Sequence, residues 1–234
     1  MKPALFNTEM VKALLDGRKS VTRRAVKPQP KMQLSYICGG NGYGKWNYPP
    51  PNCVEQSGWD EKYRRIDGLT AEDNAMFWTP PFHAGDILYV RETWDNEPVS
   101  PGGHTRLSGV YYYKADGDLR PEGWRGNWHP SIHMPKEAAR IFLRVTNIRV
   151  ERLRDITEVE ARAEGVKDPY DYQTPEWYEQ NGLVNNCVLD AFAGLWNRTV
   201  KKIDLPVYGW EANPWVWVIE FERFSKEEAK RRSK

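Results

Sequence analysis

The chain has 234 residues, 40% hydrophobic and 28% charged, with a formal net charge of +2. That length carries one domain with insertions, or two small ones, around a real core. The composition is that of a soluble globular protein, and no apolar run approaches the ~20 residues a membrane helix needs. A charge this small does not argue for nucleic acid by itself. No signal-peptide pattern stands at Met1–Leu5, and Cys38, Cys53 and Cys187 have no paired spacing, so a cytoplasmic protein with reduced thiols is expected.

In chain order, the first predicted element is a helix. Asn7 can cap it, Glu9 sits in its first turn, and Met10, Val11, Leu14 and Leu15 make one apolar stripe. Asp16-Gly17 ends it, with glycine free to take the left-handed conformation. A basic segment, Arg18 to Val26, follows. From Gln29 to Phe82 no period holds, and Gly39–Gly44 and Pro49–Pro51 are turn signals, so this stretch reads as a surface insertion.

Gly85-Asp86 is a turn into a predicted strand, Ile87–Trp94, and Gly109–Lys114 reads as another. A second insertion is placed at about 95–135, irregular from Asp116 onward. The long strand Ile141–Leu153 changes the phase of its alternation near Thr146-Asn147, which predicts a bulge of the kind a small barrel needs to close. Thr157 to Glu160 is a capping box for a second helix that Gly165 stops. A third helix spans about Cys187–Trp196, on the stripe Val188, Leu189, Phe192, Leu195 and Trp196. The last strand starts at Trp215, with Trp217, Ile219 and Phe221 on one face and Glu220 and Glu222 on the other. Residues 225–234 are a charged tail. Strands separated by irregular stretches, without βαβ alternation, predict a single α+β domain over residues 1–224.

The landmarks Gly17-Arg18-Lys19 with Thr22 and Arg24, the Gly85-Asp86 turn and its strand, Ile156 to Gly165, and Trp215 to Phe224 come in the order found in the ASCH family, relatives of PUA RNA-binding domains. The chain resembles the long ASCH proteins of phages and prophages, and the likeness covers about half of it. It implies a PUA-like small β-barrel with flanking helices. Small ASCH members are amidohydrolases that deacetylate N4-acetylcytidine with a Lys, a Thr and a Glu. Lys19, Thr22 and Glu164 stand at the matching positions, and Arg24 matches a nearby Arg. Other members are ribonucleases or RNA-binding modules, so fold alone does not choose among them.

The chemistry asked of these residues is amide hydrolysis. Thr22 would supply a hydroxyl, and Lys19 would act as base if burial or cations lower its pKa from ~10.4. Arg24 suits an oxyanion or phosphate. Glu164, at a helix C-terminus where the dipole disfavours an anion, suits a proton shuttle. Arg18, Arg91, Glu92 and His133 are further candidates for contact with the substrate or nucleic acid. Read without the resemblance, Arg18, Lys19, Arg23 and Arg24 are a solvated basic edge, Thr22 an ordinary strand residue, and His133 a loop histidine. One difficulty is geometric: on a plain strand Lys19 would point away from Thr22 and Arg24, so the chain has to turn between them.

No cofactor is expected. Cys38, Cys53, His83, His104, His129 and His133 lack ligand spacing, so no metal is expected either. The resemblance implies a modified nucleoside, RNA or single-stranded nucleic acid as partner, without a membrane, and the protein is expected as a monomer. Eleven Trp and twelve Tyr could stack bases, with Trp46, Trp59, Trp124 and Trp128 as candidates, or could pack the long loops.

Overall fold

In a computed structural model, the structure describes residues 1–30, 35–38, 44–47, 80–98, 107–122, 126–167, 187–226 and 228. The fold is mixed α+β. Its strands are β1 (Lys2–Leu5), β2 (Val21–Ala25), β3 (Ser35–Cys38), β4 (Gly44–Asn47), β5 (Ile87–Arg91), β6 (Trp94–Pro98), β7 (Leu107–Tyr113), β8 (Phe142–Arg152) and β9 (Trp215–Phe224). The helices are α1 (Thr8–Leu15), α2 (Glu158–Ala163), α3 (Cys187–Thr199) and the one-turn α4 (Leu205–Tyr208).

Local signals explain the helices. Asn7 Oδ1 accepts from Met10 N at 2.9 Å at the start of α1, and Gly17 takes φ +76° just past its end. At α2, Thr157 and Glu160 complete the capping box. The predicted bulge is present, as the β8–β9 register shifts between Val145 and Asn147. Gly85, at φ +88°, makes the turn into β5 and donates to Val145 O at 2.8 Å.

Five strands form one sheet in the order β1-β5-β8-β9-β2. Both faces are covered. One buries Val11 and Leu14 of α1 with Leu88, Val90, Leu143, Trp217, Ile219 and Phe221. The other buries Val216, Val218 and Val21 under Ala161 of α2 and Val188, Phe192 and Trp196 of α3. Strand β9 therefore reads as a nearly continuous apolar run.

Three expectations change. Among the described residues no backbone ladder closes a barrel: β1 and β2 are the two edges of an open sheet. Pro3 has no amide hydrogen to donate, which suits an edge strand, and the contact between the two edges is a side chain, Arg24 Nη2 donating to Leu5 O at 3.1 Å. The predicted strand Ile87–Trp94 is two strands, because the chain leaves the sheet at Glu92-Thr93 and Trp94 pairs with Tyr113 in a separate β6–β7 ribbon. Strand β1, short and paired in parallel with β5, carried no local signal. Of the 29–82 insertion, the antiparallel pair β3–β4 is described; Pro49–Pro51, Cys53 and Trp59 lie outside the described residues, as do His104 and Trp124. No helix among the described residues is long and apolar enough to cross a membrane.

Candidate functional site

The basic segment turns between Lys19 and Thr22. Lys19 precedes β2: its amide donates to Ala13 O at 3.0 Å, so it still belongs to the loop that ends α1. It forms an isolated bridge with Glu164, the residue that caps α2. Strand β2 then begins at Val21 as a sheet edge, leaving one flank free. The end of α2 occupies that flank, and Ser20 N donates to Ala163 O at 2.9 Å. Gly165 permits the approach. It has φ +91°, and a Cβ there would lie 2.6 Å from Ala13 Cβ and 3.2 Å from Lys19 Cβ.

The Lys19 side chain is wholly shielded, at 0% exposure. Its Nζ donates to Glu164 Oε2 at 2.6 Å, Val21 O at 2.7 Å and Glu164 O at 2.8 Å. All three ammonium donors are thereby used. Burial pulls the Lys19 pKa below the ordinary lysine range; the Glu164 charge and hydrogen bond oppose this, and Arg24 and Arg23 add to the lowering.

Alternation along β2 sends its side chains to two faces. Thr22, 2% exposed, and Arg24 face Phe6, whose ring centroid is 5.5 Å from the Arg24 guanidinium and 5.8 Å from Lys19 Nζ. Thr22 Oγ1 accepts from Arg24 Nη1 at 3.0 Å. Val21 and Arg23 face α2 and α3, with Arg23 6.0 Å from the Phe192 ring. Because Glu164 sits at the strand edge, both faces reach it, with Arg23 Nη1 3.4 Å from Glu164 Oε1.

Arg23 is the residue of this candidate site that sequence reasoning passed over as part of a basic edge. Its side chain is fully buried and pairs with Glu151 at 2.6 Å and Glu160 at 3.2 Å as well as with Glu164. Arg149 bonds the same Glu151 and Glu160, and also Glu220. The signal for Arg23 lay in Glu160 and Glu164: an i,i+4 acidic pair on one side of a short helix needs cations opposite.

The other candidates are placed apart. Arg18 bonds Gly165 O at 2.6 Å and Asp16 Oδ2 at 2.7 Å, and lines a small cavity of about 200 Å³ beside Glu164. Arg91 Nε donates to Met134 O at 2.8 Å. Glu92, 1% exposed, is held by both Arg140 Nε and Nη2 at 2.9 Å, and Arg140 also grips Asp116. That clamp ties the β6–β7 ribbon to the sheet and does not reach Lys19. His133 is exposed on a 3-10 turn. Trp128 is packed under Arg120 at 4.1 Å.

A cleft of about 950 Å³ opens above Arg24. Among the described residues its aromatic lining comes from Phe6, Phe82, Trp196 and Tyr208. Trp196 Nε1 donates to Tyr208 O at 2.7 Å, which fixes α4 on α3. No protein-family model matches the chain, and neither a curated protein nor a solved structure matches it.

Proposed function

We propose that this chain is a PUA-like domain of the ASCH type acting as a hydrolase on a modified nucleoside, with N4-acylated cytidine as the substrate class. The observation that supports it is the buried Lys19–Glu164 pair at 2.6 Å together with the Thr22 hydroxyl, which accepts from Arg24, the residue that carries this cluster to the lining of a cleft. Burial lowers the Lys19 pKa, and its direct hydrogen bond to the Glu164 carboxylate gives the proton a path between the two groups. The Val21 carbonyl that Lys19 holds belongs to the peptide leading into Thr22, so the base sits one residue from the hydroxyl.

In this reading Lys19 first passes a proton to Glu164 along their 2.6 Å hydrogen bond, and Thr22 Oγ then forms a bond to the amide carbonyl carbon as the neutral Lys19 amine takes the hydroxyl proton. Arg24 stabilises the oxyanion. Glu164 passes a proton through Lys19 to the leaving nitrogen, the C–N bond breaks, and water cleaves the resulting ester to acid and free Thr22. Incubation with N4-acetylcytidine and its longer-acyl homologues, followed by product analysis, tests it. The wild type should release acid and cytidine; Thr22→Val and Glu164→Gln, folded by circular dichroism, should lose at least about 100-fold in rate. Intact substrate with folded wild type would refute it.

A second reading has its own observation. All three Lys19 donors are satisfied by the protein, as befits an ammonium that only braces a strand edge. Under it the cleft binds RNA or a single strand without catalysis, and binding would weaken with salt while no acyl nucleoside turns over.

A further inference from the structure

The cleft is polarised across its width. The residues from β1 and the start of α1 that line it (Leu5, Phe6, Asn7 and Met10 among them) carry no charge, nor do Phe82, Thr93, Pro130 and Ser131. The charged lining comes from β2 and its continuation and from the stretch running from α3 into α4: Arg23, Arg24, Lys27, Arg198 and Lys201, against the single carboxylate of Asp204.

These cations are not equivalent. Arg23 is neutralised by its glutamates, and Arg24 spends donors on Thr22, Arg23 O and Leu5 O. The rim cations are less engaged. Lys27 and Lys201 are exposed, and neither makes an ion pair with the described residues. Lys27 Nζ stands 4.6 Å over the Tyr208 ring. Among the described residues Arg198 donates only through Nε, to Gly194 O at 3.1 Å, and its terminal nitrogens are offered to a ligand.

An uncharged wall with aromatic rings facing a rim of available cations matches a ligand that is flat and neutral at one end and anionic at the other. We infer that Lys27, Arg198 and Lys201 form a phosphate subsite, so that the cleft takes a nucleotide, free or as part of a single strand, in preference to a nucleoside. The base lies toward Phe6 and Arg24, and the phosphate lies at the rim beside Tyr208. A volume of about 950 Å³ is in the upper range for small-molecule sites and exceeds what one base needs. This inference rests on the proposed nucleoside chemistry only for the identity of the base.

Equilibrium titration with cytidine, cytidine 5′-monophosphate and the 5′-phosphorylated tetracytidylate tests it without requiring turnover. The monophosphate should bind about tenfold tighter than cytidine at low salt, as charge-assisted contacts predict. The preference should shrink with added salt. It should fall below about twofold in Lys27→Ser/Lys201→Ser, whose exposed positions leave folding intact, and persist in Lys136→Ser outside the cleft. Equal affinity for the tetranucleotide and monophosphate assigns a free nucleotide; tighter binding of the tetranucleotide assigns a strand; both keep the subsite. Equal binding of cytidine and its monophosphate, or a preference that survives the double variant, overturns it. Turnover of N4-acetylcytidine without phosphate preference discards the subsite and keeps the hydrolase; phosphate preference without turnover does the reverse.

Discussion

At Lys19, desolvation opposes pairing and has the larger effect on its pKa. Burying an ammonium costs several kcal/mol, and three hydrogen bonds from it return about 1.5–3 kcal/mol each. The lowered pKa has a testable sign. Between the folded-state pKa of Lys19 and the unfolded 10.5, the unfolded chain binds more protons, so stability rises with pH. Urea melts should show that rise below pH ~10 in the wild type and its absence in Lys19→Met. Above that, Tyr113, pushed up to about 12 by burial, reverses the trend, because unfolded tyrosine ionises first. Arg23 carries more of the balance. Arg23→Met would leave the carboxylates of Glu151, Glu160 and Glu164 facing one another with one cation fewer. A loss of about 3–5 kcal/mol in denaturant titration is expected, and a loss under ~1 kcal/mol would show that the network is incidental.

The elements differ in how plainly the sequence announces them. Helices α1 and α2 are specified by caps spanning four residues, Asn7–Met10 and Thr157–Glu160, and the β8 bulge by a break in alternation, so each could be read locally. Strand β1 has four residues and exists because β5 accepts it; α4 is a single turn held by Trp196. Neither leaves a periodic trace. The split after Arg91 is set by packing, since Glu92 N points at Met134 Sδ, 3.1 Å away and 42 residues on. The candidate site follows the same rule. Lys19, Thr22, Arg24 and Glu164 were legible through a motif order, and the structure does bring them together, whereas Arg23 was hidden by alternation and Arg91, Glu92 and His133 sit elsewhere. At this scale Gly165 is the joint between α2 and β2. Gly165→Ala should cost about 1–3 kcal/mol, from strain at φ +91° and the clash with Ala13. Thr157→Ala, at the other end of the same helix, should cost only about 1 kcal/mol. Thermal melts that rank them the other way would contradict the joint.

Across the whole molecule, an open sheet between two helical layers leaves its edges, β1 and β2, facing each other over Arg24, and the cleft lies above that seam. The β6–β7 ribbon is held to this body by Arg140, stacked 3.9 Å from Tyr113 and clamped by Glu92 and Asp116. Arg140→Gln would strand a buried carboxylate, and a cost of about 3–5 kcal/mol is expected; a cost under ~1 kcal/mol would show that the ribbon packs without the clamp. The central claim concerns the seam, and the pH dependence of kcat/KM for N4-acetylcytidine tests it most directly. The account predicts turnover that rises with pH through an ionisation well below the ordinary lysine range, and that is lost in Glu164→Gln and Thr22→Val. A folded wild-type protein that leaves every N4-acylcytidine intact from pH 6 to 10 would contradict it.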